Sequence, residues 1–162
     1  MRIGVLSDTH LHRSERDLRV IFDRYLAEVD WIFHAGDYVS ADIVTFLRRK
    51  PFHGVQGNMD SAGVKMILPE KKVIEIEGYR VGLIHGWGSP RGLEDRIMNE
   101  FQDVDVVVYG HSHEPANHVK DGVLFFNPGT VTGVSRAGVH TIGVLECGDT
   151  LRGEIIEVDP AG

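Results

Sequence analysis

Short apolar runs alternate with longer amphipathic stretches through the first half of the chain. The run Arg2–Leu6 predicts a buried strand. Apolar residues spaced three or four apart from Ser14 to Val29 predict a helix whose N-cap is its first residue. Trp31–Phe33 and Phe52–Gln56 predict two further strands, and the pattern over Ser40–Arg49 predicts a helix between them. The first half therefore has a β-α-β-α-β rhythm.

The second half is mostly predicted strand. Val73–Glu77 and Arg80–His85 predict a hairpin turned at Gly78-Tyr79, and Ser89-Pro90 predicts the cap and first turn of a helix that continues to about Glu100. The remaining predicted strands are Val104–Tyr109, Val123–Phe126, His140–Leu145 and Leu151–Val158. This mixture predicts α/β layers with both parallel and antiparallel strand pairing.

Composition narrows the class of protein. The 162 residues are enough for a sizeable core, and we expect one domain over residues 1–162. A net charge of −7 disfavours binding to long nucleic acid or to a membrane surface. No signal peptide and no apolar run of membrane-spanning length are seen, and the single cysteine, Cys147, allows no internal disulfide. These features favour a cytoplasmic protein.

Polar side chains follow five of the predicted strands at the points where the strands end. These residues are Asp8, His10, Asp37, Asn58, His85, His111 and His113. Because ligands bind at the carboxyl ends of parallel strands in open α/β sheets, we expect these side chains to converge. Gly36, Gly57 and Gly110 lie beside them and are expected to let the backbone turn sharply.

The residue types in this set indicate a metal site. Two carboxylates, an amide oxygen and four imidazoles are too many polar groups to leave unpaired in a dry pocket. They suit two divalent cations of the Mn, Fe, Co, Ni or Zn kind, and a shared carboxylate can bridge such ions. Two divalent ions outweigh two aspartates and a hydroxide by one positive charge. A phosphate group would therefore be attracted even though the whole chain is acidic.

The order of these motifs resembles the calcineurin-like metallophosphoesterase superfamily. The motifs are D-x-H at Asp8 and His10, G-D at Gly36-Asp37, G-N-x-D at 57–60, His85, and G-H-x-H at 110–113. The chain length and the NPGT turn at 127–130 resemble the small YfcE-like phosphodiesterase branch, which shares its fold with the eukaryotic retromer subunit Vps29. The resemblance implies a four-layer αββα sandwich, in which two mixed β-sheets are flanked by helices.

The resemblance also implies a ligand set and a reaction. The first metal would be held by Asp8, His10, Asp37 and His113. The second would be held by Asp37, Asn58, His85 and His111, with Asp37 bridging the two. The implied activity is that of a dinuclear phosphodiesterase, which uses a metal-bridging hydroxide as nucleophile on a small phosphodiester or nucleotide-like substrate. Asp60 is expected to orient a ligand, with capping of its own loop as the alternative, and His34 is expected to orient a ligand or to be a core histidine rather than to bind metal.

Two positions depart from the family pattern. Met59 stands where many members of the superfamily have a histidine, and it cannot transfer a proton, so we expect diesters to be better substrates than monoesters. Trp87 stands where relatives often have the second histidine of H-G-H, and it is expected to be either an aromatic wall of the site or a packing residue. His12 and Arg136 are expected at the surface, and whether they touch substrate phosphate is left open.

A second hypothesis is a metal-binding scaffold or a protein-interaction module of the Vps29 type, with little or no catalysis. Because all seven predicted ligand positions carry residues that can bind metal, the sequence favours the enzyme. It does not identify the native substrate, the native metal or the oligomeric state, and a homo-oligomer is among the alternatives.

Overall fold

The computed structural model describes residues 1–10 and 15–159, which contain ten strands and four helices, and the last of the four helices ends at Met98. In chain order the elements are β1 (Arg2–Leu6), α1 (Glu15–Tyr25), β2 (Trp31–His34), α2 (Ala41–Leu47), β3 (Phe52–Gly54), α3 (Ala62–Ile67), β4 (Lys71–Ile76), β5 (Tyr79–Ile84), α4 (Leu93–Met98), β6 (Val106–Val108), β7 (Ala116–Lys120), β8 (Val123–Asn127), β9 (His140–Cys147) and β10 (Leu151–Val158).

The strands form two mixed sheets of five strands each. The first has the order β10-β9-β1-β2-β3, in which β1, β2 and β3 are parallel, β9 is antiparallel to β1, and the edge strand β10 is antiparallel to β9. The second has the order β4-β5-β6-β8-β7, with β5, β6 and β8 parallel between two antiparallel edge strands. The prediction that parallel and antiparallel pairing occur together is confirmed.

Period-two alternation along the strands builds the layers. Ile3 and Val5 of β1 face the second sheet, whereas Leu6 faces the helices α1, α2 and α3 on the outer side of the first sheet. In β6, Val106 and Val108 point between the sheets while Val107 packs under α4. Each sheet is therefore apolar on both faces, and the predicted αββα sandwich is confirmed.

Phe126 joins the two sheets. Its ring is completely buried and fills the space that side chains on Gly143 of β9 and Gly153 of β10 would take, because a Cβ at either glycine would overlap the ring. The second sheet thus inserts a large aromatic side chain into a gap in the first sheet. The close approach between the sheets depends on this pairing of a large residue with two small ones.

Several predicted helix bounds are wrong. The first helix ends at Tyr25 rather than Val29. The apolar spacing continued to Val29 since this residue is buried in the core, although it is not helical. Its predicted N-cap, Ser14, lies outside the described residues. The second helix covers Ala41–Leu47, with Ser40 as its N-cap. The sequence pattern did not predict α3, which the Ser61 side chain caps by accepting a hydrogen bond from Val64 N–H.

The fourth helix and the hairpin also differ from the prediction. Gly92 is the N-cap of α4, while Ser89 Oγ accepts a hydrogen bond from Arg91 N–H and so closes a turn before the helix. The hairpin turns at Glu77-Gly78, which both have positive φ (50° and 83°), the conformation that a two-residue type I′ turn requires.

Strand ends differ by fewer residues, and one strand was missed. β3 and β6 are shorter than predicted, whereas β2, β8 and β9 extend past their predicted ends to His34, Asn127 and Cys147. The sequence pattern did not predict β7, because most of this edge strand is exposed and lacks the apolar alternation of a half-buried strand. In the described part of the chain, no helix has both the length and the apolar character needed to cross a membrane.

We expect Phe126→Ala to destabilise the fold by about 3–5 kcal/mol, because the lost ring leaves a cavity between the sheets that two glycines cannot fill. Val119→Ala on β7 is the control, since Val119 is 68% exposed and should change stability by less than about 0.5 kcal/mol. Chemical denaturation of both variants measures the difference, and similar unfolding free energies for the two would contradict this account of the sheet packing.

Candidate metal centre

The seven predicted metal-binding residues lie at one edge of the sandwich, where parallel strands of both sheets end. Asp8 and His10 follow β1, Asp37 follows β2, and Asn58 follows β3. His85 follows β5 of the second sheet, and the pair His111 and His113 follows β6. The structure brings all seven into one continuous cluster, which therefore needs both sheets to form.

Asp8, His10 and His113 form one half of the cluster. Their potential ligand atoms all lie within 4.8 Å of one another. Asp8 Oδ1 is 3.1 Å from His113 Nε2 and 3.6 Å from His10 Nε2, and the two Nε2 atoms are 3.2 Å apart. A carboxylate oxygen and two imidazole nitrogens thus surround a single small volume.

Asp37 links this half to the other. Its Oδ2 lies 3.2 Å from His85 Nε2 and 3.7 Å from His10 Nε2, so one oxygen faces both halves. Asn58 Oδ1 continues the cluster, at 3.1 Å from His85 Nε2 and 3.2 Å from His111 Nδ1. An oxygen between two sets of ligands is the arrangement that a bridging carboxylate requires.

Backbone carbonyls orient three of the four imidazoles. His85 Nδ1–H donates to the Ala35 carbonyl, His111 Nε2–H to the Gly88 carbonyl and His113 Nδ1–H to the Val134 carbonyl, each at 2.7 Å. Since one ring nitrogen of each imidazole donates its N–H to a carbonyl, the other ring nitrogen can present a lone pair to the cluster. Metal-binding histidines are commonly held in this way.

An unpaired oxygen provides a test of whether a cation fits. Asp8 Oδ1 is buried and accepts no hydrogen bond from any described residue, whereas Asp8 Oδ2 accepts from Ser7 Oγ–H at 2.6 Å and from His111 N–H at 3.1 Å. A buried carboxylate oxygen without a partner is costly. A divalent cation among Asp8, His10 and His113 would satisfy it, so the donor set fits a metal.

The electrostatics of the cluster keep both carboxylates ionised. Burial alone would raise the pKa of Asp8, but the His10 and His113 imidazoles outweigh burial and hold that pKa well below its usual range. Burial opposes ionisation of Asp37 as well, and His85 more than offsets it, so the Asp37 pKa is also lowered. The Asp8 carboxylate, whose Oδ1 lies 3.1 Å from His113 Nε2, raises the pKa of His113 to about 9.

Left-handed backbone conformations direct side chains of the cluster inward. Among the described residues, nine non-glycine residues have positive φ, and five of them belong to the cluster. These five, with φ between 46° and 69°, are Asp8, His10, Asp37, His111 and His113. Such a conformation costs on the order of 1–3 kcal/mol per residue and is typical of functional sites. The turns let residues two apart in sequence point toward the same volume.

The glycines beside the ligands have two separate roles. Gly36 has φ +99° and provides the sharp turn that the sequence predicted. Gly57 and Gly110 do not have positive φ, so that interpretation is wrong for them. They are needed for close approach instead, because a Cβ on Gly57 would overlap Asp37 Oδ1 and a Cβ on Gly110 would overlap Ser7 Oγ.

Asp60 and His34 lie behind the ligands. Asp60 accepts three backbone N–H bonds, from Asp37 (3.1 Å) and Gly57 (2.7 Å) at Oδ2 and from Val39 (2.7 Å) at Oδ1. It thus ties the loop after β2 to the loop after β3. His34 Nδ1 accepts from Gly36 N–H, its Nε2–H donates to Thr9 Oγ1, and burial lowers its pKa to about 3. A neutral His34 with both nitrogens engaged orients the turn that carries Asp37.

Sequence reasoning missed other supporting contacts. Ser7 holds Asp8 through its Oδ2, and Thr130, the last residue of the NPGT motif, donates to the Asp8 carbonyl. Asn127, singled out by the NPGT motif, donates from Nδ2 to the Gly110 carbonyl and to Ser112 Oγ. These bonds connect the end of β8 to the turn that carries His111 and His113.

The residues whose roles the sequence did not decide are exposed where the structure describes them. Met59 is 58% exposed, and its N–H donates to Asp37 Oδ1 at 2.8 Å. Trp87 is 44% exposed beside His85 rather than packed in the core. Arg136 is exposed, with its backbone N–H on Glu114 Oε1. His12 lies outside the described residues.

We expect Asp60→Asn to weaken Zn²⁺ binding by about 10–100-fold, the usual effect of losing a group that orients a ligand. An amide cannot accept all three backbone N–H bonds in this geometry, so the loop that carries Asp37 loses a restraint. Isothermal titration calorimetry measures the affinity, with Asp149→Asn in the exposed β9–β10 turn as the matched control. Equal affinities for the two variants would contradict the role given to Asp60.

Comparison with known proteins agrees with this geometry. The family model described as "Calcineurin-like phosphoesterase superfamily domain" matches residues 1–150. A "Probable metallophosphoesterase" of Methanothermobacter thermautotrophicus is 40% identical over 162 residues, which cover 96% of this chain and 92% of that protein.

Two solved structures share the fold along the whole length. An archaeal phosphodiesterase is 28% identical, with a TM-score of 0.77, and the match covers 98% of this chain and 100% of its own. Wild-type Vps29 of Entamoeba histolytica complexed with Zn²⁺ is 26% identical, with a TM-score of 0.75, over 97% of this chain and 99% of its own. With the family model matching most of its length, the chain belongs to the calcineurin-like phosphoesterase superfamily.

Proposed function

We propose that the protein is a dinuclear-metal-dependent phosphodiesterase that acts on small phosphodiesters. The observation that carries the proposal is the position of Asp37 Oδ2 between His10 and His85, next to the unpaired Asp8 Oδ1. Membership of the superfamily and the likeness to an archaeal phosphodiesterase support the same reaction class. The likeness to a Vps29 complexed with Zn²⁺ supports metal binding.

The two cations would share Asp37. In the proposal, the first is held by Asp8, His10, Asp37 and His113, and the second by Asp37, Asn58, His85 and His111. Imidazole with carboxylate and amide oxygen suits Mn, Fe, Co, Ni or Zn, and the choice among them depends on geometry and availability. Since the ligands come from both sheets, the proposal treats residues 1–162 as one catalytic domain. With a single cysteine, the chain suits the cytoplasm.

The proposed reaction assigns different roles to the cations and to the residues around them. Bound divalent cations supply Lewis-acid charge to the phosphate oxygens and, by lowering the pKa of water, a hydroxide nucleophile at neutral pH. The ligand residues would hold that charge at the sheet edge, and the strained turns that position these residues would thereby position the phosphate. Met59 offers no proton to the leaving group, so acidic leaving groups and diesters should be favoured.

We expect metal-stripped protein to hydrolyse bis-p-nitrophenyl phosphate only after Mn²⁺, Ni²⁺ or Zn²⁺ is added, and to hydrolyse the monoester much more slowly. Asp37→Asn should lower kcat/KM for the diester by more than about 100-fold, because even residues that merely orient ligands usually contribute 10–100-fold. Asp149→Asn is the control, and circular dichroism reports whether Asp37→Asn still folds. Undiminished turnover in folded Asp37→Asn would contradict the proposal.

A scaffold of the Vps29 type is the second candidate, because the fold matches a Vps29 along nearly its whole length. The exposed apolar side chains of Met59, Met66, Ile67 and Trp87 are compatible with it. A stable co-purifying protein partner, together with no turnover under any of the three metals, would favour this candidate over the enzyme.

A further inference from the structure

A cavity of about 480 Å³ opens directly beside the candidate metal centre. Asn58 and His85 of the metal centre line it, and Trp87, Gln56 and Lys65 are among its other lining residues. This volume lies within the range of about 300–1,000 Å³ that is usual for small-molecule sites. A group attached to a phosphate at the metal centre could therefore extend into the cavity.

The backbone around Trp87 is fixed before any ligand arrives. Arg96 Nη2 donates to the carbonyls of Trp87, at 2.8 Å, and Ser89, and Arg96 Nη1 donates to the Arg91 carbonyl at 3.0 Å. On the metal side, His111 Nε2–H donates to the neighbouring Gly88 carbonyl. An exposed aromatic residue on a restrained loop loses little conformational freedom when a ring stacks on it.

Polar groups distinguish this cavity from a purely apolar pocket. Gln56 Nε2 donates to the Leu68 carbonyl at 2.8 Å, which orients its side-chain amide. Lys65 Nζ lies 3.5 Å from the Asn58 carbonyl and adds positive charge next to the metal centre. An aromatic face with amide and charged groups around it matches a planar heterocycle, whose edge carries hydrogen-bond donors and acceptors.

We propose that this cavity is a base subsite, in which Trp87 stacks on the nucleobase of a nucleotide-like substrate while the phosphate lies at the metal centre. The inference rests on the proposed function and narrows its substrate class from small phosphodiesters to those that carry a nucleoside. Trp87 is then the residue that determines specificity for the base, and Arg96 is a positioning residue that holds the loop.

A pair of probes that differ in the base tests the subsite. Adenosine 5′-monophosphate and ribose 5-phosphate share the sugar and the phosphate, and calorimetry with Zn²⁺-loaded protein gives their Kd values. We expect the nucleotide to bind about tenfold more tightly or better, since stacking of a base on an aromatic ring is usually worth that much. Trp87→Ala should bring the two Kd values together, while Trp87→Phe should retain most of the preference.

Trp31 offers a matched control. It stacks on His53, with ring centroids 4.9 Å apart, and it is not part of the cavity lining. Trp31→Phe should keep the preference for the nucleotide. Because the chain has two tryptophans, the fluorescence of this variant comes from Trp87 alone, and adenosine 5′-monophosphate should quench it more than ribose 5-phosphate does.

The outcomes separate this inference from the proposed function. Equal Kd values in the wild type, no measurable binding of either probe, or a preference that survives in Trp87→Ala would each overturn the base subsite. Turnover of bis-p-nitrophenyl phosphate combined with equal Kd values would overturn the subsite and leave the phosphodiesterase standing. A preference that depends on Trp87 in a protein without turnover would keep the subsite and remove the phosphodiesterase.

Discussion

Asp8 and Asp37 are buried carboxylates that face the same volume, and the charge of Asp8 makes ionisation of Asp37 less favourable. Burial of two like charges is tolerated only where positive charge surrounds them. In this chain, the neighbouring imidazoles provide part of that compensation and leave Asp8 Oδ1 without a hydrogen bond from the described residues. A pair of divalent cations would complete the compensation, and the surrounding structure can be understood as what holds the two carboxylates in place.

Both sheets are needed to hold them. Three parallel strands of the first sheet and two of the second end at the same edge, so each sheet delivers only part of the ligand set. Left-handed turns after β1, β2 and β6 then direct the side chains inward, at a conformational cost that the buried core must offset. Asp60 and Asn127 connect neighbouring strand ends by hydrogen bonds to the backbone. These bonds hold the strained turns in fixed positions relative to one another.

The sequence predicted which side chains converge at the sheet edge better than it predicted the structure that supports them. Strand ends followed by Asp, Asn or His could be recognised because buried parallel strands leave continuous apolar runs, and polar residues stand out after them. The resemblance to a known family supplied the double sheet, which alternation alone does not specify. The role of Gly57 was misread, since a requirement for space and a requirement for positive φ both place a glycine. The exposed strand β7 and the short helix α3 gave patterns too weak to distinguish from loops.

The number of divalent cations that each chain binds is the most direct test of the central claim. Metal-stripped protein titrated with Zn²⁺ in a calorimeter, with bound metal counted after dialysis, should take up two ions per chain. Asp37→Asn should lose the tight binding of both, because its Oδ2 faces both halves of the cluster. One ion or none in the folded wild type, or two tightly bound ions in Asp37→Asn, would contradict the account of Asp37 as the shared ligand of a dinuclear centre.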